Sequence, residues 1–314
     1  MAVAWYCNFR ERFYRVMDSC GGHPDRQNPT VKETRLRLVT IRQEGREEAA
    51  VVLPDGVAHV REVGGFSGEE EADLLSLLES GRFYELKEAY GRRSLRAETV
   101  SRSSRAPLYR RPRKIWGIGL NYAEHAGDLS ETAPADEPAS FMRPDTTIIG
   151  PGEDIVLPPQ SERVTAEGEL ALVVGREAKD VSEEKAPHFV AGFTTVLDMT
   201  AEDILRRNPR YLTRAKSFDT FFSFGPELVT PEEIEDVDAL EVATVVNGEV
   251  YRSNTVSNMT FSPWWLVSFH SRIMTLLPGD VISTGTPGAV VVQDGDVAEC
   301  RITGFESLRN LVVR

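Results

Sequence analysis

Cysteine, histidine and unbroken apolar runs are all scarce in this 314-residue chain. The three cysteines, Cys7, Cys20 and Cys300, include no Cys-x-x-Cys spacing, which excludes a disulfide framework. No apolar run reaches the roughly 20 residues that a membrane span requires, so no membrane partner is expected. The opening stretch interleaves Asn8, Arg10, Glu11, Arg12 and Arg15 with apolar residues, which breaks the core of a secretory signal. The expected location is therefore cytoplasmic. Positive charge is short as well: 36 Lys and Arg face 49 Asp and Glu, a net charge of −13. Phosphate binding needs a basic face, so nucleic acid is not an expected partner. An acidic protein that handles an anionic substrate needs local positive charge, and a metal ion can supply it.

What is present divides into three stretches. Residues 1–33 read as an N-terminal extension without clear periodicity, ending in a turn-rich run from Gly21 to Pro29. Residues 34–110 read as a small α+β domain. Leu36, Leu38 and Thr40–Ile41 suggest a strand, Ala50–Leu53 its partner, and Val57–Val60 a third after a Pro54-Asp55-Gly56 turn. Glu69 to Gly91 then carries leucines and aromatics at helical spacing, interrupted near Gly81. This domain holds no cluster of reactive side chains and reads as a packing module. Its connector, Ser101 to Lys114, ends Arg110-Arg111-Pro112-Arg113-Lys114 and reads as a solvated linker.

Residues 111–314 are β-rich, with strands expected at Ile115–Leu120, Glu169–Val174, Phe189–Leu197, Val242–Val246 and Val281–Thr284. Asn247-Gly248 between two β-branched runs signals a type I′ hairpin. Ser262 to Leu276 reads as one amphipathic helix, capped by Ser262 with Pro263 at its first position. The fold class expected is α+β with a strongly coiled mixed-β core.

Two acidic motifs stand out. In Thr165-Ala166-Glu167-Gly168-Glu169-Leu170, residues two apart on a strand share a face, so Glu167 and Glu169 project together. Adjacent carboxylates repel, and a divalent cation removes that penalty; two solvated acids at a strand end would give the same pattern. Gly168 between them leaves room for another group to approach the backbone. The second motif is Asp198, delivered at the end of an apolar strand in Leu197-Asp198-Met199-Thr200-Ala201-Glu202-Asp203. A lone charge there is costly unless paired or metal-bound. Thr200 is expected to cap the helix beginning near Glu202, with Asp203 completing a capping box, which leaves Asp198 free to ligate. All-oxygen ligands favour Mg²⁺, Mn²⁺ or Ca²⁺. Of five histidines, His125 is set apart by Asp128 three residues on, a spacing that lets the carboxylate orient the imidazole on a helical turn. An ordinary surface histidine near a helix start would show the same spacing.

The stretch from about residue 114 to the C-terminus resembles the fumarylacetoacetate hydrolase superfamily. The matching motifs, in order, are Gly-Leu-Asn-Tyr-x-x-His (119–125), Phe-Met-Arg-Pro (141–144), Glu-Gly-Glu-Leu-Ala-Leu-Val-Val-Gly (167–175) and Asp-Met-Thr-Ala-x-Asp (198–203). Ala-Lys-Ser-Phe-Asp-Thr (215–220), Val-Asn-Gly-Glu (246–249) and Leu-x-Pro-Gly-Asp-Val-Ile-x-Thr-Gly-Thr-Pro (276–287) continue the series. The resemblance implies a β-roll-like catalytic domain, usually dimeric, preceded by the small domain of the bacterial two-domain type. It implies Mg²⁺ or Mn²⁺ on Glu167, Glu169 and Asp198, His125 with Asp128 and Lys216 as catalytic groups, and Arg143 and Thr286 as substrate-binding residues. The substrate implied is a small keto acid.

The chain also departs from the pattern. Asp128 stands where Glu is usual, Arg143 where Lys is usual, Glu202 where Arg is usual, and Arg252 where Gln is frequent; the glycine-rich stretch after Thr-Gly-Thr-Pro is shortened to Gly288-Ala289-Val290. The metal motif is thus kept better than the substrate pocket. The leading expectation is hydrolysis of a C–C bond in an acylpyruvate-like β-diketo acid. The alternatives are decarboxylation, isomerisation or hydration of a related keto acid or dienoate, and, from another class, a non-catalytic metal-binding homologue.

Overall fold

The computed structural model describes residues 35–63, 65, 66, 68, 73–90, 104–124 and 134–314, all of them within one compact unit, 34–314. The 1–33 extension, His125 and Asp128 lie outside the described residues. The architecture is mixed α+β. The larger sheet runs, in spatial order, Gly56–His59, Arg46–Leu53, Arg37–Gln43, Glu227–Val229, Val190–Ala201, Val164–Val174, Val281–Ser283, Ile115–Gly119 and Ala139–Arg143. Val281–Ser283 lies parallel to Ile115–Gly119 and antiparallel to Val164–Val174, which makes the sheet mixed. A second, five-stranded sheet runs Glu249–Thr255, Glu241–Val246, Val297–Ile302, Leu308–Val313 and Ile155–Val156.

The longest ladder joins Val164–Val174 to Val190–Ala201, in antiparallel register from Val190 opposite Val174 to Ala201 opposite Val164. Every residue of both strands is buried. The reason is two-sided packing. Leu170, Leu172, Val174 and Leu197 face a core shared with Leu266 and Val267, whereas Ala171, Val173 and Val196 face a core built from Leu36, Leu38, Leu74, Leu77 and Phe83. Strands covered on both faces read as nearly continuous apolar runs, which matches Leu170–Val174 and Val190–Leu197.

Local signals explain the remaining elements. Gly81, at φ +75°, separates the helices Leu74–Glu79 and Arg82–Tyr90. The 263–273 helix starts as its sequence dictates, with the Ser262 hydroxyl accepting from Trp265 N at 3.0 Å. The Asn247-Gly248 turn has positive φ at both residues, the type I′ requirement.

Two sequence expectations are corrected. The 110–114 segment is solvated only in part: Arg111 and Arg113 are exposed, but Arg110 binds Glu47 and Glu153 at 2.7 and 2.9 Å, and Lys114 binds the buried Asp280 at 2.7 Å. Thr200 caps nothing, because the strand runs on to Ala201, which is the N-cap residue of the Glu202–Arg207 helix and provides no side-chain cap. A polar residue inside a long ladder resembles a cap when the strand's end is placed too early.

Candidate metal centre

Strand alternation and ladder register together assemble the acidic site. Glu167 and Glu169 share a face, and the register sets Asp198 directly opposite Glu167. Carboxylate oxygens of Glu167, Glu169 and Asp198 lie within 4.8 Å of one another, and all three residues are buried. Gly168 lets this strand approach the second sheet: a Cβ there would stand 2.9 Å from Ala243 O. The contact is fastened by Thr244, whose hydroxyl accepts from Gly168 N at 2.8 Å and donates to Gly288 O at 3.1 Å.

Among the described residues two cations reach the triad. Lys216, at the end of the Leu212–Lys216 helix, donates from Nζ to Glu167 Oε2 at 2.7 Å and Asp198 Oδ1 at 3.0 Å. Burial alone would push the Lys216 ammonium down, but Asp198 and Glu167 outweigh it and hold the group above its ordinary value. Arg143 donates from Nη2 to Asp198 and from Nη1 to the carbonyls of Lys216 and Phe221, both at 2.9 Å. Its guanidinium also lies over the Phe222 ring at 4.9 Å. The sequence resemblance matched Arg143 to a substrate contact; here the side chain is turned inward and engaged with protein acceptors.

Neutral donors complete the shell. Glu167 accepts from the Thr200 hydroxyl at 2.6 Å. Glu169 accepts from the Ser283 hydroxyl and from Gly285 N at 3.0 Å, and among the described residues it has no ion pair. Its carboxyl is pushed up to about 8, first by burial and then by the charge of Asp198. Among the described residues, three buried carboxylates face two organic cations, which leaves one carboxylate that folds uncharged at neutral pH or takes a further positive charge. Hard oxygen donors of this kind suit Mg²⁺, Mn²⁺ or Ca²⁺.

Thr286 lies on the loop that follows Gly285, and its hydroxyl is bonded to Gly288 O at 3.1 Å and Gly288 N at 3.2 Å. His125 and Asp128, the expected acid–base pair, are outside the described residues; the chain just before them is tied down where Asn254 Nδ2 donates to Glu124 at 3.3 Å. Sequence reasoning missed the shell partners Thr200, Ser283, Gly285 and Thr244. The alternation that pairs Glu167 with Glu169 operates within one strand and carries no information about which residue of another strand lies beside it.

A family model described as fumarylacetoacetate (FAA) hydrolase C-terminal matches residues 114–313. The chain belongs to the fumarylacetoacetate hydrolase family. Relatives within it cover several reactions. A mitochondrial oxaloacetate tautomerase of Rattus norvegicus is 34% identical over 292 residues, covering 88% of this chain and 92% of that protein. A fumarylacetoacetate hydrolase from psychrophilic Exiguobacterium antarcticum superposes with a TM-score of 0.74 at 28% identity, covering 88% of this chain and 99% of that one. Maleylpyruvate hydrolase from Sphingobium sp. SYK-6, solved in complex with manganese (II) ion and pyruvate, superposes with a TM-score of 0.71 at 25% identity over 89% of this chain and 98% of that one. The structural likeness therefore extends beyond the matched 114–313. Among the described residues no helix is long and apolar enough to cross a membrane.

Proposed function

We propose that this protein is a divalent-metal-dependent enzyme that acts on a small 2-oxo acid through its enol form, catalysing keto–enol tautomerisation of an oxaloacetate-like substrate. The observation that carries the reading is Lys216 Nζ, buried and cationic, bonded to two of three convergent carboxylates. In this reading Glu167, Glu169 and Asp198 would hold the metal, Mg²⁺ or Mn²⁺ with Ca²⁺ as a third option, which would supply Lewis-acid polarisation of the 2-oxo group. Arg143 holds Asp198, Thr200 holds Glu167, and Ser283 with Gly285 N holds Glu169, so the ligand oxygens need no reorganisation. Lys216 places its ammonium where negative charge develops on the enolate oxygen, and a fixed cation in a dry site is effective there. His125, oriented by Asp128, takes the proton from C3 of the substrate, and the enolate oxygen gains one. Thr286 is assigned to the substrate carboxylate. Overlap over most of both chains with an oxaloacetate tautomerase supports this choice among the family's reactions.

Hydrolysis of an acylpyruvate is the second reading, favoured by the likeness to a maleylpyruvate hydrolase. There His125 would take a proton from water attacking the distal carbonyl, and the pyruvate enolate would leave beside Lys216. One experiment separates them: loss of the oxaloacetate enol absorbance and release of pyruvate from acetylpyruvate are followed with Mg²⁺, with Mn²⁺ and with chelator. Accelerated, chelator-sensitive enol–keto exchange without pyruvate release is the expected result. Pyruvate release with no acceleration of exchange would replace the tautomerase by the hydrolase, and indifference to chelator in both assays would end the metal mechanism.

A further inference from the structure

The strands Ile115–Gly119 and Val281–Ser283 run parallel, so the chain leaves both at the same edge of the sheet. Leu120 then takes φ +58°, a left-handed conformation uncommon for leucine, and Asn121 lies buried across the end of the neighbouring strand. Both ends of its side-chain amide are engaged. Nδ2 donates to Thr284 O at 2.7 Å and to Phe261 O at 3.0 Å, and Oδ1 accepts from Phe261 N at 2.9 Å. Two carbonyls and one N–H around it leave the amide a single orientation.

Thr284 O and Gly285 N belong to one peptide group whose two edges meet different partners. Asn121 grips the oxygen, and the N–H donates to Glu169 Oε2 at 3.0 Å. A trans peptide is planar with its O and H on opposite edges, so fixing one aims the other. Gly285 has φ +100°, and a Cβ there would stand 2.9 Å from Asn121 Cβ and 3.0 Å from Ile118 O, so this peptide lies against Asn121 only because residue 285 is glycine. The Ser283 hydroxyl donates to the same Oε2, and among the described residues Oε1 of Glu169 accepts no hydrogen bond. Oε1 is the oxygen left for a cation.

From this chain of contacts we infer that Asn121 is a positioning residue for the ion site: by holding the Thr284 carbonyl it aims the Gly285 N–H at Glu169 Oε2, and so leaves Oε1 of that carboxylate to the ion. The inference rests on the metal reading above and adds to it a residue that bonds none of the three carboxylates itself. A hydrogen bond received at the carbonyl also polarises the N–H of the same peptide and strengthens its bond to Glu169. Ser283 alone would leave the carboxylate free to swing about one contact, whereas two donors on one oxygen restrain it.

The test reads two signals in the full-length protein: the Gly285 amide resonance by glycine-selective NMR in chelator, and Mn²⁺ affinity by paramagnetic titration. The Gly285 resonance is identified by its absence from Gly285→Ala. Asn121→Ala should move that resonance upfield and weaken Mn²⁺ binding by about tenfold or more, the usual size of losing an outer partner of a metal ligand. Gly285→Ala keeps Asn121 but forces the peptide away from it, and should weaken Mn²⁺ by a similar factor; it carries the test if Asn121→Ala does not fold. Wild-type Mn²⁺ affinity in either variant overturns the inference. So does an Asn121→Ala protein that is less stable yet keeps the Gly285 resonance in place, which would mark Asn121 as a prop for the loops. Wild-type protein that takes up no Mn²⁺ overturns the metal reading alone, and the Gly285 resonance then decides on Asn121 by itself.

Discussion

The ladder of Val164–Val174 and Val190–Ala201 carries two opposed chemistries. Around Leu170 to Val174 and Val190 to Val196 it is largely apolar, with Thr194 and Thr195 the buried polar exceptions, and each fully buried Leu, Val or Phe there stabilises the fold by about 1.5–3 kcal/mol. A few residues along, the same two strands bury Glu167, Glu169, Asp198, Thr165 and Thr200. Backbone pairing runs through both halves with a single register shift, between Val190 and Gly192, so the difference lies chiefly in side chains. The apolar half holds the protein together. The acidic half opposes folding unless its charge is met, and a sequence shaped by packing alone would have continued the valines and leucines.

Substitutions should pull the two halves apart, and their effects are expected to decrease in the following order. Glu169→Gln should lower turnover by on the order of 10³-fold, as loss of a central charge from a preorganised site does. The same substitution should leave ion-free stability unchanged or raised, because it removes a carboxylate buried beside two others. A urea melt in chelator that shows a clear loss of stability would contradict the contrast. Leu172→Ala should do the reverse: about 3 kcal/mol of stability lost to the cavity, with ion affinity retained in calorimetry. Lys216→Met should cost about 10²-fold in turnover, and the variant should still bind Mn²⁺ in a paramagnetic titration.

The pH dependence follows from Glu169. Its carboxyl is raised to about 8 from an ordinary 4.5, so in the ion-free protein the folded state binds the extra proton between those values. Stability from this group is greatest at the acid end of the window and falls as pH rises towards 8. The Tm of ion-free protein should therefore decline from pH 5.5 to pH 8, while Mg²⁺ should bind more tightly over the same range as the proton leaves. A flat profile, or one unchanged in Glu169→Gln, would show that Glu169 is not the group responsible. The smallest effect is expected far from the ladder. Arg110→Ala should cost about 1 kcal/mol or less, since Arg110 and its partners Glu47 and Glu153 are partly exposed and screened.

Much of this architecture is legible in the amino-acid order alone. The Glu167–Glu169 pair follows from strand periodicity, the Asn247-Gly248 hairpin from turn chemistry, and the 263–273 helix from Ser262 and Pro263. Asp198 is legible as a costly charge after an apolar run, although it stands within the strand and not at its end. What is illegible depends on elements far apart in the chain. The adjacency of Ser283 to Glu169, of Thr244 to Gly168, and of Arg143 to Asp198 spans separations of 114, 76 and 55 residues, and no local pattern encodes them. The Arg110–Lys114 segment misleads for the same reason: a run of positive charge looks solvated until its acidic partners arrive from elsewhere.

The double-sided packing of the ladder has an evolutionary consequence. Glu167, Glu169 and Asp198 lie on two strands buried along their whole length, whereas the 249–255 strand of the hairpin is exposed over most of its length. A lineage carrying this scaffold can rewrite the exposed hairpin residue by residue while the buried carboxylates are inherited intact.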